Sequence, residues 1–142
     1  MWSLIHALHV GAFLGCLVSS GWKLRILSGP SLDGIALQHL RRLDIASSSS
    51  TGVILLTGAT MLFAQPGRLA HLGDPAFQAK LLLFILASGL VLASKAFLRR
   101  RSLAGAEATM PTPGWLRMAL AVDFSSILII AGLGLAVAHG AV

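Results

Sequence analysis

Apolar residues are gathered into four long stretches separated by short polar interruptions. A bilayer crossing takes about 20 predominantly apolar residues in a helix that rises 1.5 Å per residue. The stretches at about 2–27, 40–64, 76–98 and 115–139 meet that requirement. All five prolines, Pro30, Pro66, Pro75, Pro111 and Pro113, lie outside them, where a residue that breaks the helical ladder costs least. Trp2, Trp22 and Trp115 each fall near a span end, where indole rings favour the headgroup layer. The pattern predicts an all-α chain, a single transmembrane domain over residues 1–142 built as an integral membrane four-helix bundle.

Composition supports the same reading. Of the 142 residues 56% are apolar and 11% charged, against roughly 25% charged in a soluble domain. Mean hydropathy is +0.83, so the missing solvent is lipid. A single cysteine, Cys16, excludes a disulfide-stapled module. Disorder, coiled coil and collagen are excluded by the same composition.

Eleven Lys and Arg against five Asp and Glu give a net charge of +6. In a soluble protein that excess would suggest nucleic acid, but in a membrane protein it labels sidedness, and no nucleic-acid partner is expected. Nine basic residues flank the first and third connections: Lys23, Arg25, Arg41, Arg42, Lys95, Arg99, Arg100, Arg101 and Arg117. Only Arg68 and Lys80 flank the second. The positive-inside rule then predicts a cytoplasmic first and third connection, with both termini and the second connection outside or periplasmic, as in a bacterial-type inner (plasma) membrane. Met1-Trp2-Ser3 has no basic signal-peptide start, so the first span is expected to be retained.

Lipid gives helices no hydrophobic reason to associate, and small residues must let them approach. Gly11 and Gly15 on the first span, Gly52 and Gly58 on the second, and Gly132 and Gly134 on the fourth are candidates. Ser47 to Ser50 and Thr51 form a hydroxyl run that suits back-bonding to the preceding turn in a tight interface, or the lining of a polar cavity.

Ionisable residues inside a span need a partner or a function. On depth alone Arg25 suits Asp44, and Lys95 suits Asp123, as two structural intramembrane ion pairs. A proton path or a substrate carboxylate site is the alternative use of the same residues. The opposite side gathers four of the five histidines, His6, His9, His71 and His139, with Lys80 at the start of the third span. His6 and His9 are three apart and share a helix face. Imidazoles from different helices at one depth suit a metal or a haem iron, because a neutral nitrogen binds without a buried charge.

Ala7-Leu8-His9-Val10 with the later Arg25, and Ala79-Lys80-Leu81-Leu82-Leu83, resemble the first and third helices of the HemJ-type protoporphyrinogen IX oxidase family. Arg41-Arg42-Leu43-Asp44, Asp74-Pro75 and the acidic residue of the fourth span also resemble a related group of uncharacterised four-helix bacterial membrane proteins. The resemblance implies a b-type haem held by His9 and Lys80 and a membrane oxidoreductase acting on a porphyrin. The chain departs from the family in having Gly15-Cys16-Leu17-Val18-Ser19-Ser20 where the family is aromatic-rich, and no tyrosine.

Three functions therefore stand side by side. The first is a haem b protein with redox function, with His9 as one axial ligand and Lys80, His6 or His139 as the other, exchanging electrons with a quinone or another membrane carrier. The second is an outer copper or zinc site of His6, His9, His71 and His139. The third is a non-catalytic accessory or scaffold subunit, in a homo-oligomer or a larger membrane complex. Hydrolase, kinase and thiol-redox chemistry lack the necessary residue constellations.

Overall fold

A computed structural model describes residues 2–64, 72–103 and 110–138. Four helices occupy almost all of them: α1 Trp2–Leu27, α2 Gly34–Phe63, α3 Pro75–Leu103 and α4 Gly114–Ala138. The shortest has 25 residues, about 37 Å at the α-helical rise, and all four are long and apolar enough to cross a bilayer. The chain is thus an all-α, multi-pass membrane bundle. Its helices run alternately up and down, so the start of α1 and the end of α4 lie at one end of the bundle, called here the His9 end. The first and third connections lie at the other, the Lys23 end.

Two helices extend past their expected bounds. Asp33 accepts a hydrogen bond from Ala36 N–H at 2.7 Å through its carboxylate and caps α2, which begins at Gly34 instead of about residue 40. The expectation started the span at its apolar run and overlooked this cap. The third helix, α3, continues through the Arg99-Arg100-Arg101 run to Leu103.

The first and third connections are also joined. Ser31–Leu32 (β1) pairs antiparallel with Met110–Pro111 (β2), opposing Ser31 to Pro111 and Leu32 to Met110. Gly29 C=O accepts from Thr112 Oγ1 at 2.9 Å and from Arg117 Nη2 at 2.6 Å. Beneath this clasp Leu27, Leu32, Leu40, Leu116 and Leu120 form a buried cluster, with Phe97 packed edge-on against Trp115.

Elsewhere the apolar residues face outward. Leu56 is 73% and Ile85 65% exposed, the arrangement lipid requires and water would penalise. The inward stripe of α1 is instead polar: Cys16, Ser19, Ser20, Lys23 and Leu27 recur at three- and four-residue spacing and are buried. On α4 the matching stripe is Leu116, Ala119, Leu120, Asp123, Ser126 and Ile127.

Glycines allow close approach at some of the expected places. A Cβ at Gly15 would lie 2.9 Å from Ser50 Oγ, so α1 and α2 meet there through the missing side chain. Gly21, which was not among the candidates, admits the Phe124 ring. Contrary to expectation, Gly11, Gly52, Gly132 and Gly134 face nothing within 4 Å among the described residues, so no close helix approach depends on them there. The hydroxyl run does back-bond as expected: Ser48, Ser49 and Thr51 donate to the carbonyls of Asp44, Ile45 and Ser47.

Candidate functional site

The two ion pairs expected from depth are both replaced. Asp44 Oδ1 receives Lys23 Nζ at 3.2 Å, and Arg25 is exposed. Two residues along a helix is about 200° of rotation, so Lys23 on the inward stripe turns Arg25 outward. Asp123 Oδ2 accepts from Ser20 Oγ at 2.8 Å, while Lys95 Nζ donates to Ser48 Oγ on α2. Lys95 and Asp123 share a depth but face different helices. Lys23 is 1% and Asp123 3% exposed, and together with Asp44 and Ser20 they form a polar seam holding α1 to α2 and α4.

At the His9 end the helices part around a cavity of about 660 Å3. His9 from α1, Gly58 and Met61 from α2, Phe77 and Lys80 from α3, and Ile130 from α4 all contribute to its lining. The structure therefore brings His9 and Lys80 to one cavity from facing helices. Most of the remaining wall is aliphatic or aromatic, and Asp74, which precedes α3 and accepts from Ala76 N–H at 2.8 Å, adds a carboxylate. Such a space falls within the roughly 300–1,000 Å3 of small-molecule and cofactor sites.

His9 is held in one orientation. Its Nδ1 lies 2.7 Å from Thr57 Oγ1. The Thr57 hydroxyl has a single proton, which it directs at the Val53 carbonyl at 2.6 Å, with Ile54 C=O at 3.2 Å. Its oxygen must then accept from His9, so Nδ1 carries the proton and Nε2 of the neutral ring carries the lone pair. That tautomer, assigned from the hydrogen-bond network, is the one a metal ligand needs. Gly58 makes room for the ring, since a Cβ there would lie 3.5 Å from His9 Cε1.

The other candidates are placed differently. His6 is exposed, one turn nearer the start of α1, and does not line the cavity. His71 and His139 lie outside the described residues, so the four-histidine set is not assembled by what is described. Among the described residues no three His, Cys, Asp or Glu side chains converge as a metal site.

Thr57 and Gly58 were not connected to His9 in the sequence. His9 lies about two turns from the start of α1, and Thr57 and Gly58 somewhat under two turns from the end of α2, so similar depth was a usable signal, but the direction each faces was not. Comparison with family models, curated proteins and solved structures finds no match.

Proposed function

We propose that the chain is a haem b-binding membrane protein with a redox function, its cofactor seated in the cavity between His9 and Lys80. The observation that carries this reading is the His9–Thr57 hydrogen bond, which leaves Nε2 as a donor on a side chain lining an apolar, aromatic-walled space. A bare copper or zinc ion takes three or four protein ligands. A haem iron brings four nitrogens of its own and needs only one or two more, which suits a cavity with one oriented imidazole and one lysine.

His9 and Lys80 are the residues that would hold the iron of the cofactor. Thr57 fixes the tautomer of His9, and most of the lining around it is aliphatic or aromatic. When bound, haem b supplies one-electron chemistry, and a membrane quinone is the class of electron partner suited to a chain with no flavin or nicotinamide motif. Porphyrinogen oxidation is the specific reaction that the HemJ resemblance adds to this proposal. The basic residues of the Lys23 end favour the orientation with that end in the cytoplasm of a bacterial-type inner membrane and the cavity toward the outer face.

The test is an absorption spectrum of protein purified in mild detergent after expression with a haem precursor. A Soret band that His9→Ala removes and Arg25→Gln preserves is the expected result. No Soret band, or the same band in His9→Ala, overturns the proposal and leaves the accessory-subunit reading.

A further inference from the structure

A second cavity, also of about 660 Å3, opens at the Lys23 end between α2 and α3. Arg41 and Asp44 with Ser48 and Ser49 line it from α2, Lys95 and Arg99 from α3, and Ile45 and Leu98 are among its apolar lining. It takes no part in the site at His9, which lies at the opposite end of the bundle. The two helices scarcely touch along their length, so the cleft opens sideways toward the bilayer.

Its charge is unbalanced. The one carboxylate in the lining, Asp44, is engaged from behind by Lys23, whose side chain is only 2% exposed. Asp44 and Lys23 thus cancel, leaving Arg41, Lys95 and Arg99 as three cations around one cleft. Arg41 and Arg99 are exposed and form no ion pair among the described residues. Lys95, one turn deeper than Arg99, donates to Ser48 Oγ, whose own proton goes to Asp44 C=O at 2.7 Å. The ammonium is tethered within the cleft and keeps two further donors. Ile45, 62% exposed, lies beside the cations, and Leu92, 65% exposed and about one turn deeper than Lys95 on α3, carries apolar surface toward the membrane interior.

Cations at the rim above an apolar wall match an amphiphile with an anionic head and acyl tails. Two guanidinium groups offer planar, forked donors suited to phosphate oxygens. Lateral access and the flanking aliphatic surface favour a lipid over a soluble anion. We infer that this cleft between α2 and α3 is a binding site for one anionic phospholipid, its phosphate held by Arg41, Lys95 and Arg99 and its acyl chains lying along Ile45 and Leu92.

Native mass spectrometry of the detergent-purified protein, titrated with phosphatidylglycerol and separately with phosphatidylcholine, tests the site. Phosphatidylglycerol should bind at least about tenfold more tightly, a preference weakened by salt. The double variant Arg41→Gln/Arg99→Gln should lose that preference. Arg42→Gln/Arg100→Gln, which removes the same charge from exposed positions outside the cleft, should retain it. Helical circular dichroism verifies that each variant is folded. Should the double variant fail to fold, each single variant should weaken phosphatidylglycerol binding by about threefold without affecting phosphatidylcholine. Equal binding of the two lipids overturns the proposal, as does an equal loss in the control variant. Inorganic phosphate binding as tightly as phosphatidylglycerol overturns it in favour of a soluble anion.

Discussion

His9 Nδ1 and Thr57 Oγ1 stand 2.7 Å apart across the interface of α1 and α2, and the direction of the Thr57 proton makes His9 the donor. One hydroxyl thereby selects the tautomer of the only described histidine in the cavity. The chemistry proposed for His9 depends on this neighbour as well as on the ring itself.

Thr57→Val should therefore weaken haem binding by about tenfold or more, the usual scale for loss of a group that orients a metal-ligating histidine. Thr57→Ser keeps the oxygen and should bind nearly as the parent does. Haem titration followed at the Soret maximum measures both, and equal affinity in Thr57→Val would show that the hydrogen bond is incidental.

The seam at the Lys23 end makes a separate prediction about stability. Lys23→Met strands the Asp44 carboxylate in a largely dry site and should destabilise the bundle by about 3 kcal/mol, the lower end for a broken buried pair because Asp44 keeps some exposure. Lys23→Met/Asp44→Leu removes both charges and should recover most of the loss. Arg25→Gln, altering an exposed residue, should have little effect. Denaturant unfolding in detergent ranks the three variants; a larger loss in Arg25→Gln than in Lys23→Met contradicts the assignment.

Close approach at Gly15 can be separated from mere smallness at Gly11. Gly15→Leu drives a side chain into Ser50 and should cost about 1–3 kcal/mol by overpacking. Gly11→Leu meets open space and should be close to neutral. Thermal melting distinguishes them, and equal destabilisation would mean that helix propensity or lipid contact governs both sites.

Sidedness can be read by labelling. In a Cys16→Ser background, a membrane-impermeant maleimide applied to intact cells should modify Ser3→Cys at the start of α1 and spare Ser31→Cys in the first connection. The reverse pattern would place the basic connections outside, against the charge bias.

Much of this architecture was legible from the residues. Span number, approximate ends and the absence of proline from the described helix interiors, with Pro75 at the first position of α3, follow from local properties: apolar run length, the cost of unsatisfied backbone in lipid, and the preference of indole and cationic groups for the interface. His9 and Lys80 stood out because each sits inside a span where an ionisable group is costly, and both line the cavity, which had no signal of its own in the sequence. The Asp33 cap was present in the sequence but overlooked. The strand pair Ser31–Leu32 with Met110–Pro111 had no comparable local signal, because two-residue strands form only when distant loops meet.

What the sequence determined by itself was the level of each residue along the membrane normal, because helical rise converts residue number directly into depth. What only the tertiary structure decided was direction about the helix axis. Lys95 and Asp123 share a level, yet Lys95 turns to Ser48 and Asp123 to Ser20. Lys23 displaces Arg25 at Asp44 because the inward stripe of α1 contains one and not the other. In lipid the outward face of a helix is as apolar as a protein core, so the usual hydrophobic stripe is missing and cannot announce which side faces inward. Contacts between particular helices supply that missing angle, and they are what bring Thr57 to His9.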